Sequence, residues 1–302
     1  MSNALVDRIG TSLCAAGQVM RMQPQHNLYR FSIGASRFAS GSFHTEESLI
    51  IPDTKAFIKS EKRTLVWRKT VGNSEATVVK MYRHRGFVDW HRERLFNFKV
   101  QREYEALHVL ESAGVPCSVP LLWGFGSASE HGRFEILVTR EIPAAVNLKE
   151  AFRANTASVV PDDLPALFDV VRQMHQCGIY HGALLPKNIL VTSVSQRRPT
   201  FCLVDLIRAL HFPADIQRTV MARYDLLSLM HGLTNLHPGI NCETLLSHYG
   251  LGRTDTRELL DRLVWYRSTR HLRNRLAFQF KIRALGARCC SRLSLRSRGK
   301  IV

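Results

Sequence analysis

Residues 180–191 read Tyr-His-Gly-Ala-Leu-Leu-Pro-Lys-Asn-Ile-Leu-Val, and seventeen residues past Asn188 the chain reads Leu203-Val204-Asp205. Before this stretch, Leu164, Leu167, Val171 and Met174 mark one apolar face of a helix that runs to Gly178. The loop then opens on His181, Asn188 stands at the head of a short apolar strand (188–192), and Asp205 ends the next one (201–205). Side-chain oxygens of Asn and Asp are hard donors of the kind Mg²⁺ takes when it carries a triphosphate. The spacing therefore describes a two-ligand magnesium arrangement, with Asn188 and Asp205 as the ligands.

Upstream the texture changes. Residues 64–67 and 76–82 read as two strands joined around Gly72-Asn73, a natural hairpin turn. Lys80 lies in the second strand, on the same face as Val78 and Tyr82. A lysine there needs an anion, because burying an unpaired charge is costly. Glu103 can supply it from a helix over 92–110, where Val100, Tyr104 and Leu107 share a face and Gly114 and Pro116 follow the end. Taken alone, a strand lysine is more often an edge or solvent-facing residue. Residues 134–139 give another strand and 140–147 an irregular connection. Helices follow at 148–152 and from 162, the latter capped by Asp162 or Asp163 after Pro161. The rest to Leu276 reads as helices and loops. No internal repeat occurs.

The series of a strand Lys, a helix Glu, a His-led loop, an Asn and a metal Asp resembles the protein-kinase-like fold. More closely, VVKMYRHRG (78–86), QREYEALHVLESAGVPCSVPLLWG (101–124), LVTREIPAAVNL (137–148), MHQCGIYHGALLPKNILV (174–191) and LVDLIRA (203–209) resemble the lipopolysaccharide kinase family, bacterial kinases that phosphorylate heptose or Kdo in the inner core. The resemblance covers roughly residues 60–235. It implies an α+β, two-lobed fold: a small antiparallel-sheet lobe with one helix, then a mainly helical lobe. ATP would lie between them, with Lys80 and Glu103 paired in the small lobe and Asn188 and Asp205 on Mg²⁺. Asp225 would either buttress the catalytic loop or be a surface helix acid. The expected domains are an N-terminal extension (1–60), the two lobes (61–140 and 141–265) and a basic tail (266–302).

Two departures bear on activity. Where the family loop has His-x-Asp, this chain has His181-Gly182-Ala183, so the carboxylate that would receive the acceptor hydroxyl's proton is missing, and no Asp or Glu occurs from Val170 to Val204. Ile207 stands where relatives often place a second acid, and Gly72 is the only glycine between Lys62 and Lys80. A general base contributes about 10²–10⁴-fold. The chain is thus expected to be either a slow ATP-dependent kinase of an inner-core sugar hydroxyl, with Lys187 or a mobile acid compensating, or a pseudokinase that binds nucleotide and scaffolds core assembly. A kinase acting on protein or a small metabolite is the more distant alternative, because fold does not choose the acceptor.

Charge sharpens the choice of partner. The 302 residues carry a formal +17, of which the last 36 residues, Arg267 to Val302, hold +11 with no Asp or Glu. Leu272, Leu276 and Phe280 recur there at four-residue spacing, the pattern of a basic amphipathic helix on an anionic membrane or of a docked C-terminal helix with a solvated end. Neither zinc-finger spacing nor an aromatic-basic single-strand motif supports nucleic acid. The seven cysteines (14, 117, 177, 202, 242, 289 and 290) lack paired spacing, which argues for reduced thiols and against zinc. With no long apolar run and no secretory start, the expectation is a cytoplasmic protein at the inner membrane face, acting on an anionic glycolipid.

Overall fold

Between Glu75 and Arg83 the side chains alternate. Thr77, Val79 and Met81 are buried, while Val78, Lys80 and Tyr82 take the other face and are half-buried. This strand is part of a computed structural model that describes residues 19–22, 29–36, 56–61, 63–71, 75–84, 99–128, 132–153, 159–192 and 199–268. Within it the chain forms two units, one of residues 1–145 with 202–208 and the other of 146–201 with 209–302.

The first unit is an antiparallel sheet. In chain order its strands are β1 (Val19–Met22), β2 (Tyr29–Ser36), β3 (Phe57–Ser60), β4 (Thr64–Val71), β5 (Glu75–Arg83), β6 (Pro120–Ala128) and β7 (Gly132–Arg140), in the spatial order β1-β2-β6-β7-β5-β4-β3. Three of them lie in the stretch expected to be an extension. β1 and β3 are four-residue edge strands, each with a basic residue inside (Arg21, Lys59), and such charged edges weaken the alternation that marks a strand. β6 was not anticipated either, since Pro120, Gly124 and Gly126 read as breakers. The Gly72-Asn73 turn lies outside the described residues, but β4 and β5 pair from Thr64↔Tyr82 to Val71↔Glu75 as a hairpin would. Leu65, Trp67, Val79, Met81, Leu122, Phe134, Ile136 and Val138 form a core on one face of the sheet.

Helix α1 (Lys99–Ser112) buries Val100, Tyr104, Leu107 and Leu110, and Glu103 with them. Its first turn is held by the sheet: the Val100 N–H donates to Glu135 Oε2 of β7 at 3.0 Å, and His84 Nε2 lies 2.8 Å from the other oxygen. A carboxylate at a helix N-terminus satisfies a free N–H and opposes the dipole. At the far end Gly114, at φ +72°, turns the chain out. Leu203 N–H then donates to the Pro116 carbonyl and Ser118 N–H to the Leu203 carbonyl, which fastens residues 202–208 to this unit.

The second unit is mainly helical. Its described elements are strand β8 (Val146–Asn147), α2 (Leu148–Arg153), a 3-10 turn (Pro161–Asp163), α3 (Leu164–Gln176), β9 (Ile179–Tyr180), β10 (Ile189–Thr192), β11 (Thr200–Leu203), which ends in the first unit, β12 (Leu210–His211), α4 (Val220–Leu236), α5 (Cys242–Tyr249) and α6 (Arg253–Ser268). Asp163 does stand at the start of α3, but its carboxylate accepts from Val160 N–H behind it and caps nothing ahead. Past the end of α3 the chain turns at Gly178 (φ +74°), where a Cβ would lie 2.8 Å from the Ala214 carbonyl oxygen and closer still to that of Phe212. Only glycine fits there. α4 buries Ala222, Leu226, Leu229, Met230 and Leu233, and Arg223 ties it to α6 through Asp255 (2.5 Å) and Glu258 (3.0 Å). No helix among the described residues is long and apolar enough to cross a membrane. The tail from residue 269 lies outside them.

Candidate active site

In the first unit, register and packing converge on Lys80. It pairs with Val66 of β4 and Leu137 of β7, at the middle of the sheet. Its Nζ lies 2.9 Å from Glu103 Oε1 and 3.8 Å from Asp205 Oδ1. Burial works against the ammonium, yet the charges of Glu103 and Asp205 outweigh it and hold the Lys80 pKa above its ordinary value. Burial pushes the Glu103 carboxyl up, with Lys80 pulling the other way and Asp205 adding to the rise. Tyr82, two residues on and on the same face, is kept protonated by burial and by the charges of Glu103, Asp205 and Glu135. Lys80 thus faces an excess of negative charge.

Asp205 itself is held at φ +61°, in the left-handed region that costs an ordinary residue about 1–2 kcal/mol. Such strain persists where the surroundings over-determine it, and it concentrates at functional sites. Its carboxylate is 40% exposed, so it retains room for a ligand besides Lys80.

In the second unit the loop after β9 carries His181, Ala183 and Asn188. His181 is fully buried, and its N–H donates to Asp225 Oδ2 at 2.7 Å, while Gly182 N–H donates to Oδ1 at 3.0 Å. Asp225 is fully buried on α4, so of the two readings of this acid the buttress is the one seen. His175 of α3 places Nε2 3.3 Å from Asp225 Oδ2 and Nδ1 2.8 Å from the Tyr249 hydroxyl, which donates to the Gln217 carbonyl at 3.2 Å. His175 and Tyr249 were missed in the sequence. The available signal was a histidine beside Met174 on the apolar face of α3, six residues before His181. Asn188 uses its amide nitrogen on the Ala183 carbonyl, at 2.9 Å, and that leaves its Oδ1 as an acceptor.

The structure therefore brings Lys80, Glu103 and Asp205 together in one unit, and His181, Ala183 and Asn188 into one loop of the other. Asn188 Oδ1 and the Asp205 carboxylate are hard oxygens that suit Mg²⁺. Among the described residues no cluster of three or more His, Cys, Asp or Glu forms a metal site by itself, and Cys117, Cys177, Cys202 and Cys242 are thiols outside any disulfide.

An antiparallel-sheet unit followed by a helical unit, with a strand lysine paired to a helix glutamate, is the α+β protein-kinase-like fold. Residues 53–234 match the model of the lipopolysaccharide kinase (Kdo/WaaP) family, and the chain belongs to that family. Among solved structures it is similar to WaaP in complex with acyl carrier protein, at 19% identity and a TM-score of 0.51, over 77% of this chain and 91% of that one. It also matches the Rio2 kinase–ADP/Mg²⁺–phosphoaspartate complex from Chaetomium thermophilum, at 13% identity and a TM-score of 0.49, over 83% and 82%. A search of the curated proteins gives no significant match.

Proposed function

We propose that this protein is a slowed lipopolysaccharide kinase, which takes Mg-ATP and passes a phosphoryl group to a hydroxyl of an inner-core sugar, heptose or Kdo. The observation that carries this reading is the Lys80–Glu103–Asp205 group. Glu103, buried, holds the Lys80 ammonium in one place, so that its remaining N–H donors can bind phosphate oxygens. Asp205 and Asn188 are the oxygen ligands we assign to Mg²⁺, which when bound neutralises charge on the phosphates. His181, through its backbone, keeps the loop on Asp225. Transfer through a loose transition state depends mostly on such positioning and charge.

Ala183 supports the second reading. With no carboxylate at that position, and none from Val170 to Val204, the loop itself offers the hydroxyl proton no carboxylate acceptor. Without that base, transfer falls by about 10²–10⁴-fold. A chain that still binds nucleotide could then serve core assembly as a pseudokinase. On either reading the basic tail would hold the protein to an anionic membrane surface.

The test measures Mg-ATP binding by thermal shift and then phosphate transfer to isolated core lipopolysaccharide, with wild type, Lys80→Ala and Ala183→Asp. Transfer by wild type that is lost in Lys80→Ala establishes the kinase. Transfer by Ala183→Asp alone establishes an intact site without its base. If wild type neither binds nor transfers, both readings fail.

A further inference from the structure

Next to the loop of Ala183 and Asn188, and wholly within the second unit, lies a cavity of about 510 Å³. Lys149 and Arg153 reach it from α2, Lys187 from the loop, and His231 and Asn235 from α4, with Pro186 forming part of its wall. No carboxylate lines it, and among the described residues none of the three cations is paired with an acid. Lys149 and Arg153 stand four apart on a six-residue helix, a spacing at which like charges repel and weaken a helix. An anion held between them and Lys187 would offset that repulsion. The Asn235 amide lies 3.1 Å from His231 Nε2, and the Tyr266 ring meets the imidazole edge-on at 5.7 Å, contacts that orient the His231 ring at the cavity.

We propose that this cavity binds a phosphomonoester on the sugar that accepts the transferred group, and so selects an acceptor that is already phosphorylated. Two lysine ammoniums and a guanidinium around one opening suit a tetrahedral dianion: the lysines act as point charges and the arginine as a two-pronged donor. Lys187 directly precedes Asn188, which puts the anion beside the reacting end of the loop. The location as an acceptor site rests on the kinase reading. The anion site itself does not.

The experiment is calorimetric titration of the full chain with glucose 6-phosphate and with glucose, for wild type and Lys149→Gln/Arg153→Gln, with Mg-ATP binding measured on each. We expect wild type to bind the phosphosugar and not glucose, and the double variant to bind it at least about tenfold more weakly, with unchanged thermal stability and Mg-ATP affinity. Equal binding by variant and wild type, equal binding of glucose, or no phosphate-dependent binding by wild type overturns the proposal. The nucleotide is the other source of phosphate. Displacement of glucose 6-phosphate by saturating Mg-AMP-PNP would assign the cavity to it and overturn the acceptor role. If Mg-ATP does not bind while glucose 6-phosphate does, the kinase reading fails and the anion cavity stands.

Discussion

The backbone N–H of His181 donates to Asp225 Oδ2 at 2.7 Å, across 44 residues and with both groups fully buried. Gly182 N–H takes the other oxygen of the same carboxylate, and His175 approaches the first. One side chain therefore sets the position of the loop that carries Ala183 and Asn188. Asp225→Ala would leave two buried N–H groups without their acceptor. Each hydrogen bond to a charged group contributes about 1.5–3 kcal/mol, so we expect a loss of about 3–5 kcal/mol in urea denaturation. A loss under about 1 kcal/mol would show that water or another acceptor replaces the carboxylate.

Tyr249 extends this network. Burial, with the charges of Asp225 and Asp215, raises its pKa far beyond the ordinary phenol range and keeps the hydroxyl protonated. Tyr249→Phe removes the partner of His175 Nδ1 and the donor to the Gln217 carbonyl. The expected cost is about 1–2 kcal/mol, measured as a lower denaturation midpoint at unchanged slope.

Lys80 gives a pH dependence. Its folded pKa lies above 10.5, so the folded chain holds this proton more tightly than the unfolded chain does. That contribution is complete below about pH 10.5 and is lost as pH climbs through the folded value. Lys80→Met/Glu103→Leu, which removes both charges, should lose this part of the alkaline sensitivity. Stability measured from about pH 8 to about pH 12 checks it, and parallel curves for the two proteins would refute it.

Gly178 is required by its surroundings. Alanine there would bear φ +74° and press on the carbonyl oxygens of Phe212 and Ala214. Backbone cannot swing away as a side chain can, so Gly178→Ala should cost about 2–4 kcal/mol. Gly114→Ala is the control: it shares the positive φ but has open space around it, and should cost about 1 kcal/mol. Equal midpoints for the two variants would show that the carbonyl contacts do not matter.

The tail prediction concerns residues 267–302. Their removal should abolish salt-sensitive sedimentation with vesicles of anionic phospholipid, because 11 basic residues and no acid are lost together. Sedimentation that is unchanged by the truncation would place the membrane contact elsewhere.

Much of this was legible in the sequence because it rests on local order. The face of α3 follows from apolar spacing, the end of α1 from Gly114, and the candidate residues Lys80, Glu103, His181, Asn188 and Asp205 from their order along the chain. β1, β2, β3 and β6 were not legible. Their pairing is decided by neighbours far away in sequence, and their charged, proline and glycine residues mask the alternation. The cations at 149, 153 and 187 drew no notice as a group, since nothing in their spacing says that α2, the loop and α4 border one cavity.

By itself, then, the sequence determined the family, the order of the candidate residues, the missing carboxylate at Ala183 and the acid-free tail, because each is a property of residue type and position. The tertiary structure decided which of those residues meet. Asp205 reaches Lys80 because residues 202–208 are hydrogen-bonded to Pro116 and Ser118 of the sheet unit, although the strands on either side of Asn188 belong to the other. It also decided between the two readings of Asp225, which is the buried acceptor that holds the loop and not a surface helix acid. Backbone hydrogen bonds and burial between distant segments made those choices, and residue spacing along a chain carries no record of them.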